Sequence, residues 1–515
     1  MSFLWPRKPI VLPLLSAALV GGCGGTPSGP TAAVSPVLAD NFDDVVTEPF
    51  GVFAGVEYVR HTGVFEGEST LGAFRVPFEV VAPADPGLGE NTLLFEPPHS
   101  GFSTVGRNLT LGPDLIFGRG LRFASVGVGN VSELHILDAS IPGLVLAGAP
   151  FALADPATSV GVVLDEEIIA RFVAALESDE DMAAMLGPIH RRYAYGTSQS
   201  ADVIQELMFD PNGLGQGVFD LSFLHASLWR PAFATLGLFH NLPDNSPVPV
   251  PYDHPTGVGR VMIVNAEGDA LVSDSEFRQC AIHRADFRLY EVSGAAHVPT
   301  SDALPFGNNP LDHFAVMRAI FVQGDNWLRR GTPPPRSRLM TRDPSSDVDP
   351  GCFKPTGILR DGDGNARGGV RLPDLHVGRA TYIASDPDSL FGFPGLLGDS
   401  IDLSCAVDEN GRPRFKNHGK YVSAFVHQAN ALRNAGFLLE DDAEFLKDEA
   451  GASSVGKPEG CDQGASRLTR RRTSRDKIEV AENVYTRRSN TALRWPTTDR
   501  PVARTGSLPE QFARN

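Results

Sequence analysis

The sequence predicts an α/β protein with a mostly parallel central sheet flanked by helices. Two observations carry that expectation. Short, almost uniformly apolar runs recur at 92–96, 122–128, 192–196, 260–265 and 287–292, as strands buried on both faces do. Between and after them lie helical stretches with apolar residues three and four apart, at 164–186, 201–209 and 312–329. Strands alternating with helices of this length argue for layers packed on a parallel sheet.

Composition sets the outer bounds. The chain has 515 residues, of which 42% are hydrophobic and 21% charged. That is enough apolar material for a large core and unlike the composition of a disordered chain. A net charge of −17, from 45 basic and 62 acidic residues, argues against a nucleic-acid partner. The charge is unevenly spread: residues 466–515 hold 12 Lys+Arg and 5 Asp+Glu. An acidic body is therefore followed by a basic tail, taken as 451–515 and expected to be disordered. The cluster Arg470-Arg471-Arg472 could meet anionic lipid or polysaccharide, but a solvated tail is the simpler reading.

Residues 1–22 read as an export signal. Arg7 and Lys8 precede an apolar run from Ile10 to Val20 that Pro13 and Ser16 interrupt. The run is shorter than the roughly 20 residues a membrane span needs. Val20-Gly21-Gly22-Cys23 resembles the acylation box of bacterial lipoproteins, which makes Cys23 the expected lipidation site. Residues 23–43 then form a flexible linker rich in Gly, Ser, Pro and Thr. The expected location is outside the cytoplasm, lipid-anchored to a bacterial membrane, the outer one by preference, facing the periplasm or the surface. Cys280, Cys352, Cys405 and Cys461 remain. In an oxidising compartment four thiols can form two disulfides in three connectivities, and the spacings do not match a zinc site.

The body is taken as a single unit, 44–450. Strands are expected within 50–81, including the run 53–60, and then at the five apolar segments above. The Pro-rich connection 228–259 and the loop-rich region 332–420, from 340 onward, are candidates for a cap over the sheet. Helices are expected at 420–437 and 440–450.

The sharpest chemical signal is Gly196-Thr197-Ser198-Gln199-Ser200, between a strand and a helix. It approximates the nucleophile elbow, in which small residues two before and two after the serine let strand and helix approach. Ser198 would project above the sheet, and the backbone N–H of Gln199 would face a developing oxyanion. A serine nucleophile needs a base and an orienting acid. Past the strand at 261–264 come Glu267 and Asp269; past the strand at 289–292 comes His297. Small Gly294, Ala295 and Ala296 would let the His297 ring approach the serine. Asp269 is the preferred acid and Glu267 the alternative, with Asp274 and Glu276 as outsiders.

The order Ser198, Asp269, His297, each after its strand, resembles the α/β-hydrolase fold. Three stretches, 196–220, 287–297 and 364–373, with the late helices near 434–443, are similar more narrowly to a bacterial family of alpha/beta hydrolase domains of unassigned substrate. The likeness covers about 44–450 and implies an α/β-hydrolase fold with a cap insertion and a C-terminal extension. It also implies a serine hydrolase, most often esterase-like, with Ser198 as nucleophile, His297 as base and Asp269 as acid. No cofactor is implied. The partners implied are a small-molecule or lipid ester and, through the anchor, a membrane. The second oxyanion donor is expected from the loop Pro97-Pro98-His99-Ser100, from His99 or Ser100, because prolines have no N–H.

Two alternatives stay open: a non-catalytic lipoprotein using the same scaffold for binding, and an amidase or acyltransferase with the same triad. Asp361-Gly362-Asp363-Gly364-Asn365 resembles the opening of a calcium loop. Ala366 and Leu372, however, stand where that loop needs Gly and Glu. A tight polar loop is the better reading. His225 could reach the pocket, although packing is the commoner use of such a histidine.

Overall fold

In a computed structural model, residues 40–69, 72–99, 104–128, 161–208, 210, 213–227, 257–272, 284–300, 308–342, 358–384, 397–458 and 461 are described. Cys23, Ser100, Asp274, Glu276, Cys280, Cys352, the cap candidate 228–256 and the cluster at 470–475 lie outside them.

A nine-stranded sheet has the order β1-β2-β3-β5-β4-β6-β7-β8-β9. β1 (Asn41–Phe53), β2 (Val56–Ser69) and β3 (Gly72–Pro83) form an antiparallel meander, and β3 meets β5 (Arg122–Val126) antiparallel. From β5 onward every pairing is parallel, through β4 (Thr92–Phe95), β6 (Arg191–Thr197), β7 (Leu221–His225), β8 (Arg260–Ala266) and β9 (Phe287–Val292). β7 is a strand the periodicity reading did not separate from its surroundings.

Three other local expectations change. β1 begins at Asn41, inside the stretch read as linker. The run 53–60 is split by a two-residue hairpin turn at Ala54 and Gly55, both with positive φ (48° and 82°). That conformation matches the twist of the flanking strands. The expected helix 164–186 is two helices, α2 (Gly161–Ser178) and α3 (Glu180–Leu186). Asp179 divides them because its extended backbone ends one helix and its carboxylate accepts the Met182 N–H at 2.9 Å, capping the next.

Alternation along the buried strands explains how both faces are covered. Leu93 and Phe95 enter one core with Ala194, Leu224, Ile263 and Leu289, against Phe172 and Ile169 of α2 and Ile204 of α4 (Gln199–Met208). Leu94 enters the other with Tyr193, Phe223, Met262 and Tyr290, against Met317, Ile320 and Phe321 of α6 (Phe314–Arg330). Helix α5 (Glu267–Val272) follows β8, and α1 (Pro113–Gly118) precedes β5. A parallel sheet sheathed on both faces is the arrangement such uniformly apolar strands require.

The C-terminal part is built onto the free edge of β9. Single parallel bridges join Tyr290 to Arg338 and Val292 to Val370. Beyond lie α7 (Pro373–Val377), the small antiparallel pair β10 (Ala380–Ile383) and β11 (Asp399–Asp402), then α8 (His418–Asn434) and α9 (Glu440–Ala452). A disulfide joins Cys405 to Cys461, so covalent structure reaches into the stretch read as tail. Asp361 and Asp363 do not face an ion cradle. Asp361 Oδ2 accepts from Arg371 at 2.6 Å, and Arg414 forks onto Asp363. No helix among the described residues is long and apolar enough to cross a membrane.

Candidate active site

The strand order reverses between β4 and β6: β5 lies beyond β4, whereas β7, β8 and β9 extend the sheet the other way. Crevices outside the carboxyl ends of strands at such a switch are where open α/β sheets hold ligands. Phe95 pairs with Ala194, which sets the Pro97–Pro98 loop and the Ser198 turn side by side at that end.

Ser198 occupies the sharp turn from β6 into α4 with φ of +53°, in the left-handed region that costs a non-glycine residue about 1–3 kcal/mol. Several bonds hold it there. Its N–H donates to the His225 carbonyl at 2.9 Å, and its own carbonyl accepts the Ala201 N–H at 2.9 Å. The Ser200 hydroxyl accepts the Thr197 N–H at 2.8 Å and donates to the Thr197 carbonyl at 2.9 Å. Ser200, read from sequence as merely small, therefore ties the turn together. Gly196 is needed for a steric reason: a Cβ there would meet the Ala201 and Ser200 backbone at 2.5 Å. Ser198 itself is part-exposed, with Gln199 opening the helix behind it.

The acid and the histidine meet. Asp269, expected just past the strand at 261–264, lies in α5 directly after β8 and is fully buried. Its Oδ2 accepts the Ala266 N–H at 2.7 Å, and its Oδ1 lies 2.5 Å from His297 Nδ1. A carboxylate only accepts, so Nδ1 is the donor in this contact and Nε2 is the ring nitrogen it leaves unengaged by Asp269. His297 is 7% exposed and ends the turn after β9. Glu267, the alternative acid, is used elsewhere: it accepts the Gly294 N–H at 2.6 Å and an Arg360 N–H at 2.7 Å.

His225 ends β7 fully buried, its Nδ1 3.3 Å from the Thr197 hydroxyl and its ring 4.9 Å from that of His313. Burial pushes both histidines down: His313 to about 4, against the opposing pull of the Asp269 and Asp312 carboxylates, and His225 well below the ordinary value, with His313 and His297 adding to the fall at His225. The pair is thus neutral near pH 7. Sequence gave no weight to His313, which directly precedes α6 and has no periodic or motif signal.

Gly106–Thr110 form a π-helical turn that Glu96, just before the two prolines, contacts. Glu96, fully enclosed after β4, accepts the Gly106 N–H at 2.5 Å and the Arg107 N–H at 3.1 Å. Burial pushes its carboxyl up to about 8, outweighing those two N–H groups and the Arg107 guanidinium. His99 is part-exposed at the far end of the prolines, which are themselves buried.

Among solved structures, the chain is similar to esterase 2 of Thermogutta terrifontis, at 14% identity over 57% of this chain and 98% of the other, TM-score 0.31. It is also similar to the glucuronoyl esterase of Solibacter usitatus (13% identity, 51% and 82% covered, TM-score 0.30). A third is an esterase from Rhizomucor miehei (11% identity, 48% and 73% covered, TM-score 0.29). No curated protein matches. A family model described as an alpha/beta hydrolase domain matches residues 156–448, more than half of the chain. The match takes in the Ser198 turn, the Asp269 helix, the His297 turn and the C-terminal helices together, so the chain belongs to this alpha/beta hydrolase family and is a hydrolase.

Proposed function

We propose that the protein hydrolyses carboxylic esters through an acyl-enzyme formed on Ser198. The observation that carries this reading is the Asp269–His297 contact at 2.5 Å, at the same sheet end as a serine in a left-handed strand–helix turn. His297 Nε2 takes the Ser198 hydroxyl proton as Oγ attacks the acyl carbon, and returns it to the leaving alcohol. Asp269 holds the tautomer and stabilises the imidazolium that forms. The Gln199 N–H and a donor from the His99–Ser100 loop stabilise the tetrahedral oxyanion. Water, activated by the same histidine, then releases the acid.

A fluorophosphonate probe is the direct test: it should label the wild-type protein and leave Ser198→Ala unlabelled, with p-nitrophenyl acyl esters cleaved only by the former. A folded wild type that neither labels nor cleaves these esters overturns the reading.

We also propose export and lipid anchoring at Cys23. The Cys405–Cys461 disulfide supports an oxidising compartment. A clickable fatty acid fed to expressing cells should label the wild type and not Cys23→Ala. Equal labelling of both would remove the anchor from the account.

A further inference from the structure

The turn that delivers His297 is anchored by groups that are not themselves placed to react. Gly294 has φ of +78° and packs so tightly that a Cβ would meet Leu375 at 2.7 Å and Leu311 at 2.9 Å. Its N–H donates to Glu267 and its carbonyl accepts from the Asn309 amide at 2.7 Å. One residue on, the Ala295 carbonyl accepts the Gly268 N–H at 3.0 Å. The helix bearing Asp269 and the turn bearing His297 are therefore joined twice, by Glu267 and Gly268, immediately before the acid.

Glu267 is fully buried, and its second oxygen is met by Arg360. Arg360 is not part of the hydrolase sheet. It comes from the hairpin after α6, held by its antiparallel bridge to Ala366 and by donation to the Gly364 carbonyl at 3.0 Å. The same segment reaches the turn again, where Ser293 donates from its N–H to the Val370 carbonyl (3.0 Å) and from its hydroxyl to the Gly368 carbonyl (2.8 Å). Arg342 adds a bond to the Ala270 carbonyl, in the acid's own helix, at 3.2 Å.

We infer that Glu267 and Arg360 are a positioning pair for the Asp269–His297 couple, and that the C-terminal extension thereby completes the active site. The inference rests on His297 being the base proposed above. The physical reason is charge matching at a buried position. The Glu267 carboxylate must be an acceptor to hold Gly294, yet a buried carboxylate without a cation is strongly unfavourable. Arg360 supplies the cation, so the hydrolase turn keeps its shape only while the extension is docked.

The test uses the full chain with Arg360→Ala, Glu267→Gln and the double variant, measured by steady-state kinetics, fluorophosphonate labelling rate and thermal midpoint. Arg360→Ala should lower kcat about 10- to 100-fold with KM nearly unchanged, because the displaced group is the base and not a substrate contact. Adding Glu267→Gln to it should recover most of kcat, since a neutral amide still accepts the Gly294 N–H and needs no cation. Rescue by removing a charge is not expected of a residue that merely stabilises the fold. If Arg360→Ala keeps wild-type kcat, or a folded double variant stays as impaired as Arg360→Ala, the pairing is overturned. If Arg360→Ala does not fold, the double variant decides: folded and active supports the pair, and folded but inactive or unfolded overturns it. A wild type that fails to label overturns the serine-hydrolase reading itself, whereas a labelling wild type with indifferent variants overturns only the pair.

Discussion

Asp269 Oδ1 stands 2.5 Å from His297 Nδ1, while the other oxygen of the same carboxylate is fixed by the Ala266 N–H at 2.7 Å. The acid is therefore held by its own helix start and can only accept from the imidazole. In α/β hydrolases a histidine so oriented presents Nε2 toward the nucleophile.

Asp269→Asn tests that orientation. An amide N–H facing Nδ1 favours the wrong tautomer, so kcat should fall about 10³- to 10⁴-fold. KM and the thermal midpoint should change little because the shape is kept. Steady-state kinetics beside a melting curve checks both parts, and a loss below tenfold would exclude Asp269 as the orienting acid.

Gly196→Ala tests the elbow. The new Cβ would sit 2.5 Å from Ala201 backbone atoms, which cannot rotate away as a side chain could. Strand β6 and helix α4 must separate, costing about 1–3 kcal/mol of stability. Displacement of the Ser198 turn should abolish most probe labelling. Urea unfolding of the folded fraction reads the first effect and the labelling rate the second.

Glu96→Gln tests the buried carboxyl behind the proline loop. Its folded value, about 8, lies above the ordinary 4.5. The folded state therefore holds a proton that the unfolded chain has lost. The stabilisation from this group is complete below about pH 4.5 and is lost as pH rises toward 8. The raised value corresponds to on the order of 3–5 kcal/mol over that window. Glu96→Gln should flatten the fall in unfolding free energy between pH 5 and 8, measured by denaturant titration at several pH values. Parallel slopes in wild type and variant would show that Glu96 is ionised in the fold.

Cys461→Ser tests the covalent tie at the C-terminus. The bridge spans 56 residues, for which loop-closure entropy gives about 4 kcal/mol at most. The loss should fall on the small core of Tyr421, Phe425, Ala450 and Val455 that α8, α9 and the turn after α9 form. Hydrogen exchange should quicken in 418–455 and stay unchanged in β6 to β9. Equal acceleration throughout would show that the sheet and these helices unfold as one.

What could be read directly from the chain was whatever depends on near neighbours. Apolar runs at 192–196, 260–265 and 287–292 become parallel strands because a strand covered on both faces needs no polar alternation. Ser198, Asp269 and His297 stood out because each follows such a run within a few residues, with Gly196 and Gly294 marking the turns. Departures were local too: Asp179 divides a helix that periodicity alone would continue, and Ala54 with Gly55 folds one run into two strands.

Tertiary structure decided what depends on distant partners. Sequence could rank Asp269 above Glu267 without saying what Glu267 does, since its cation, Arg360, is 93 residues away. The same holds for the His225–His313 contact, for Glu96 closing its loop on Gly106, and for Cys405 choosing Cys461. Each is settled by strand register and by which segments the packed chain brings together, because a buried group takes whichever partner lies within reach.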